Sequence, residues 1–279
     1  MPDHLQCGRF SLSLKRPLVM GIINVTPDSF SDGDAYFSMQ AALDHARRLV
    51  DEGADILDVG GESTRPGAQP VQADEELRRV LPVVQALGDC GVPLSVDTCK
   101  PEVMREVLRA GADMINDIRG FGSAAAVSAV ASSRCAVCVM HMQGEPRTMQ
   151  VQPVYQDVVA EVRRALLEGA RRLQDAGVAS ERIVLDPGFG FGKSVDHNYT
   201  LLRELPSVVG TLYASLVGVS RKSMIGAVTG RPAAQRLGGS VAAALAAAMR
   251  GVHILRVHDV ADTVSALKVW ARVEQGVRA

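Results

Sequence analysis

The chain has 279 residues, of which 47% are hydrophobic and 22% charged, and its formal net charge is −1. With 30 Lys and Arg against 31 Asp and Glu, there is no basic excess to hold nucleic acid or acidic lipid. Aromatic residues make up only 4%, which argues against a base-stacking surface.

Lys15, Arg16 and Pro17 interrupt the apolar run that a secretory signal would need. The five cysteines are scattered and odd in number, so no disulfide framework is implied and a reduced, cytoplasmic protein is expected. Short, nearly continuous apolar runs follow along the chain. They lie at Leu18–Val25, Ala54–Val59, Val92–Val96, Ala112–Ile118, Ala136–Met140, Arg182–Leu185, Ser215–Val219 and Val252–Val257. Runs without alternation suit parallel strands buried on both faces. Between them lie helical patterns at Met39–Asp51 (with Ser38 as cap), Glu75–Leu87, Glu102–Ala110 after Pro101, Tyr155–Ala176 and Val260–Val273. The Ala-rich stretch Ala242–Ala248 is expected to pack closely against its neighbours.

Strand, loop and helix repeated eight times, in a length near the roughly 250 residues usual for the fold, outline a single (β/α)8 barrel. A doubly wound open sheet gives the same alternation. Since no linker-like segment divides residues 1–279, one domain is expected. Cys135 and Cys138 form a C-x-x-C on one strand. Residues three apart there point to opposite faces, so they are expected to be core residues rather than metal ligands.

Polar residues follow the strands: Asn24 and Asp28; Asp58, Glu62 and Arg65; Asp97 and Lys100; Asn116 and Asp117; His141; Asp186; Arg221 and Lys222; Arg256 and His258. In barrel enzymes the reacting groups sit at strand C-termini and in the loops just after them. Caps and turns explain one or two such endings, but not eight in register. Two motifs mislead. Gly188 to Ser194 lacks the glycine spacing of a phosphate loop, because Pro187 stands where the first Gly belongs. Gly218 to Lys222 is not a nucleophile elbow, because Lys222 replaces the closing Gly.

The segments Met20–Gly33, Asp58–Gly67, Ser95–Thr98, Ile115–Asp117, Met140–Gly144, Leu185–Lys193, Ser220–Ser223 and Arg256–Asp259 together resemble the dihydropteroate synthase family, over about Met20 to Ala266. Cys99, where the family often has Ser, and the segment after Asp117 depart from its pattern. The resemblance implies a (β/α)8 barrel, usually a homodimer, that joins a pterin methyl diphosphate to p-aminobenzoate with Mg²⁺ and releases pyrophosphate. It implies Asn24 as metal ligand and Lys222, Arg256, His258 and Asp32 as catalytic residues. Thr64, Asp97, Asn116, Asp186, Lys222, Arg256, Val257 and His258 are implied around the pterin diphosphate. Phe30, Pro66, Phe191 and Ser223 are implied around p-aminobenzoate, with the loops after the first two strands closing over both.

The residue types suit that chemistry. Asp and Asn match the N–H donors and acceptors of a pterin edge, while Lys, Arg and His suit a departing dianion. Other expectations are structural. Glu62 is expected to brace loops by pairing with Arg65, Arg221 to be an ion-pair partner, His141 a rim or structural histidine, and His45 and His253 non-functional. A methyltransferase acting on a reduced folate and a non-catalytic pterin-binding paralogue are the competing readings. The Asn24 loop, the Thr64–Arg65 loop and Arg256-x-His258 speak against the first, and the intact loops against the second.

Overall fold

The computed structural model describes residues 2–25, 35–63, 69–145, 148–149 and 152–275, with the side chains of 35–38 and 275 outside the description. Thr26–Asp34 and Thr64–Ala68 are therefore not described, and with them go Asp28, Phe30, Asp32, Thr64, Arg65 and Pro66.

Eight parallel strands close into a barrel: β3 (Leu18–Asn24), β4 (Ile56–Gly60), β5 (Leu94–Asp97), β6 (Met114–Asp117), β7 (Ala136–Met140), β8 (Ile183–Asp186), β9 (Ala214–Val217) and β10 (Ile254–Val257). Each apolar run of the sequence contains or overlaps one of these strands. The open-sheet alternative falls with the closure of β10 onto β3, where Ile254 pairs with Leu18 and Val257 with Gly21. The helices α1 (Ala35–Asp51), α2 (Ala73–Ala86), α3 (Pro101–Arg109), α4 (Ala124–Ala131), α5 (Val158–Asp175), α6 (Val195–Arg203), α7 (Leu205–Val209), α8 (Ser223–Thr229), α9 (Leu237–Ala248) and α10 (Val260–Gln275) follow the barrel strands in turn. Helix α1 starts before Ser38, which is therefore inside the helix and not its cap. None of the described helices is long and apolar enough to cross a membrane.

The strand period of two sorts side chains into an inner and an outer set. Outward residues such as Val59, Val96, Ile115 and Leu255 pack under the helices in one large cluster. Inward residues Leu18, Met20, Ile56, Met114, Ala136, Cys138, Val184, Leu216 and Ile254 fill the lower barrel in a second cluster. Cys135 lies in the outer cluster and Cys138 in the inner one, as their spacing requires. An antiparallel hairpin of β1 (His4–Cys7) and β2 (Phe10–Ser13) adds Leu5 and Cys7 to the inner cluster from below. The sequence reading did not include this hairpin.

Candidate functional site

Two residues further along, five of the eight strands turn polar on the inward side. Ile56 is followed by Asp58, Met114 by Asn116, Val184 by Asp186 and Ile254 by Arg256, and on β5 the buried Ser95 is followed by Asp97. The barrel thus carries a polar layer on an apolar floor, near the C-terminal ends of its strands. Asp58 is fully buried, and Asn116 and Asp186 are 4% and 5% exposed.

Arg256 ties the layer together. Its Nε donates to Asp58 Oδ2 at 2.6 Å and its Nη2 to Asp97 Oδ2 at 3.1 Å, so one guanidinium bridges β10 to β4 and β5. Asn116 Nδ2 reaches the same Asp58 oxygen at 3.3 Å. Burial works against the Arg256 charge, but the two carboxylates outweigh it and raise its pKa. Burial pushes the Asp97 carboxyl up to about 7, while Arg256 pulls it down and Asp58 pushes it up further. Asp58 Oδ1, Asn116 Oδ1 and Ser95 Oγ are buried without a hydrogen-bond partner. Buried acceptors of this kind are satisfied by donors brought from outside the chain.

The opposite wall comes from β8 and the loop after β9. Asp186 Oδ1 accepts from the Gly188 N–H at 2.8 Å, and burial raises its pKa against the charge of Lys222. Lys222 precedes α8 and donates from Nζ to the Phe189 carbonyl, with Nζ 4.6 Å from the centre of the Phe191 ring. Burial lowers its pKa to about 8 although Asp186 favours its charge. Ser220 Oγ accepts the His258 backbone N–H at 3.2 Å and lies 3.0 Å from His258 Nδ1, which fixes the ring after β10. Val257 is buried in β10, Ser223 opens α8 in an exposed position, and Asn24 is exposed at the end of β3.

Other strand-end residues build the rim. Asp117 accepts from the Arg119 and Phe121 N–H groups at 2.8 Å each, so it caps a turn. Arg221 pairs with Asp259, as the sequence suggests. The Glu62 carboxylate meets Lys100 Nζ, which also meets the fully buried Glu76 of α2, while Arg65, the partner expected for it, lies outside the described residues. His45 Nε2 donates to the Ile22 carbonyl at 3.2 Å on the outside of the barrel, and His253 Nδ1 meets both the N–H and the hydroxyl of Ser215 beneath the site. The sequence reading missed two positions that orient the site. Asp58 carried the strand-end signal but no role, and Ser220 stood in a failed elbow and in one of the matched segments, again with no role.

A model of the pterin-binding enzymes matches residues 20–258. The chain is 53% identical over 260 residues to the dihydropteroate synthase of Escherichia coli, covering 93% of this chain and 92% of the relative. A crystal structure of Burkholderia cenocepacia dihydropteroate synthase complexed with 7,8-dihydropteroate superposes with a TM-score of 0.90 at 56% identity, covering 98% of this chain and 97% of that one. Xanthomonas albilineans dihydropteroate synthase with 4-aminobenzoic acid gives 0.93 at 52% identity, covering 99% and 100%. The matched span runs from the strand that ends in Asn24 to the histidine that follows β10 and so takes in the whole polar layer: the chain belongs to the dihydropteroate synthase family of pterin-binding enzymes.

Proposed function

We propose that the protein condenses a dihydropterin-methyl diphosphate with p-aminobenzoate and releases pyrophosphate, with the polar layer as the pterin site. The observation that carries this reading is the set of buried, partly unsatisfied groups Asp58, Asn116, Asp97, Asp186 and Arg256 above an apolar floor. A fused heterocycle with N–H donors on one edge and acceptors on the other meets both needs. Asp97, Asn116 and Asp186 take the donor edge, and Lys222 meets ring acceptors. Arg256 lies across the barrel mouth, where Arg256, Val257, His258 and Thr64 surround the diphosphate. Phe191, Ser223, Phe30 and Pro66 form the p-aminobenzoate side.

An aniline amine is already nucleophilic, so the chain needs no strong base. The C–O bond to pyrophosphate breaks, the amine nitrogen bonds the methylene carbon, and the nitrogen sheds its proton. Lys222, Arg256 and His258 stabilise the departing charge, each positioned donor of this type being worth about 10²–10³ in rate. Asp32 and the loops that carry Phe30 and Thr64 shield the reacting carbon from water in this reading.

Mg²⁺ belongs to the same proposal. The described residues hold no cluster of three or more His, Cys, Asp or Glu that would cage a metal. An exposed carboxamide at a strand end, Asn24, fits a hard cation held mainly by substrate phosphates and water. When bound, the ion offsets diphosphate charge. A homodimer in the cytoplasm completes the proposal. Support comes from the exposed apolar side chains of Val228 in α8, Leu237 in α9, Met249 just after it, and Val269 and Val273 in α10.

The test incubates the protein with the pterin diphosphate and p-aminobenzoate, with and without Mg²⁺, and reads released pyrophosphate and the pteroate product. Stoichiometric release of both, dependent on Mg²⁺, supports the reading. No product at high enzyme concentration overturns it.

A further inference from the structure

Lys193 is 2% exposed, yet it is absent from the polar layer and from every role given above. Its Nζ lies 2.9 Å from the Gly188 carbonyl, 2.9 Å from the Phe191 carbonyl, 3.2 Å from the His141 carbonyl and 2.9 Å from His141 Nδ1. Three of these acceptors are backbone oxygens, drawn from two different loops. Burial, followed by the charge of Lys193, lowers the His141 pKa to about 3, so the ring is neutral and can offer Nδ1 as an acceptor.

The two loops are moulded to each other at this point. A Cβ on Gly188 would lie 1.9 Å from the His141 carbonyl oxygen, and one on Gly192 would lie 2.3 Å from that of Gln143. Both glycines also have positive φ, +69° and +63°. Tyr155 adds a bond from its hydroxyl to the Gly192 carbonyl at 2.8 Å. Between these two glycines lie the groups that meet Lys222: the Phe189 carbonyl that accepts from its Nζ and the Phe191 ring beside it.

We propose that Lys193 is a positioning residue, whose buried ammonium fastens the β8–α6 loop to the β7–α5 loop and so sets the Phe191 ring on the p-aminobenzoate side of the site. The proposal rests on the function proposed above for what Phe191 touches. The groups facing the ammonium are His141, Asp186 and Lys222. Asp186 supports its charge, while burial and Lys222 oppose it, bringing its pKa down to about 7. A group held against that penalty is one whose bonds the loop depends on.

The perturbation is Lys193→Met, which keeps the length of the stem and removes the donors. The expected result is a folded protein whose KM for p-aminobenzoate rises about tenfold, with pterin diphosphate affinity changed less than about threefold. Amide exchange read by mass spectrometry in residues 188–192 should quicken about tenfold, with the strands unchanged. His141→Leu, which keeps the ammonium and removes one acceptor, is the second variant should Lys193→Met not fold. It should show the same split at smaller size. Equal loss of affinity for both substrates, or unchanged kinetics and exchange, overturns the proposal. The exchange arm needs no substrate. Absence of product from the parent protein therefore refutes the proposed function, while the exchange result still decides the loop geometry.

Discussion

Replacing Arg256 by Met is the most demanding perturbation of the site, because it removes one cation from two carboxylates. Asp58 is fully buried, and Asp97 is 12% exposed in its side chain. Breaking a buried pair by deleting one partner costs about 3–5 kcal/mol, since the remaining charge stays desolvated. For a domain of this size, that corresponds to a fall of roughly 10 °C in Tm. The penalty also has a pH dependence. Asp97 stands at about 7 with Arg256 pulling it down, so in the variant its folded pKa lies higher still. A carboxyl with a folded pKa above its unfolded value binds extra protons when folded, and stability falls as pH rises through that folded pKa. The penalty should therefore be larger at pH 8.5 than at pH 6, by about 1.4 kcal/mol for each unit of further shift. Urea denaturation of parent and variant at the two pH values reads this directly. Adding Asp58→Asn to the Met variant should recover part of the loss. A variant as stable as the parent at pH 8.5, or a penalty that does not change with pH, refutes the argument. The same geometry means that loss of turnover in an Arg256 variant has to be separated from loss of fold. Arg256→Lys, which keeps the charge and gives up the two-pronged bond, serves as that control.

Two further outcomes follow from the charges around the site. Burial lowers the Lys222 pKa to about 8, so kcat/KM should decline above pH 8 as the ammonium loses its proton. In Lys222→Arg that alkaline limb should disappear, even if the maximal rate is lower, and an unchanged limb in a pH–rate profile assigns it to another group. Lys100→Met should destabilise by about 3–5 kcal/mol in thermal or urea unfolding, because it strands the carboxylate of Glu76, which has no exposed surface. Lys100→Met combined with Glu76→Leu should recover most of that loss, and a double variant no better than the single one counts against this account.

The polar layer was legible in the sequence because parallel barrel strands are buried on both faces. An abrupt change from Ile-Leu to Asp, or from Ile-Leu to Arg, then has few structural excuses. Other features left weaker traces. The β1–β2 hairpin consists of two four-residue strands with polar residues among the apolar ones, too short to stand out by pattern. The bond between Arg256 and Asp58 joins positions 198 residues apart, a pairing that residue types alone do not announce. Lys193 was passed over for a different reason. Three of its four acceptors are backbone carbonyls, which any residue supplies, so the glycine run was visible and the cation it wraps was not.

The hairpin beneath the barrel bears on traffic through the site. With Leu5 and Cys7 packed into the lower core, the polar layer above stands on a closed apolar floor. Ligands that stack in such a well leave in the reverse of the order in which they arrive. In the function proposed above, a pterin held among Asp97, Asn116 and Asp186 is seated before the aromatic amine lies over it, and it stays captive while the amine is there. On that reading, a plug made of two short strands at the opposite end of the barrel imposes a sequence on the substrates.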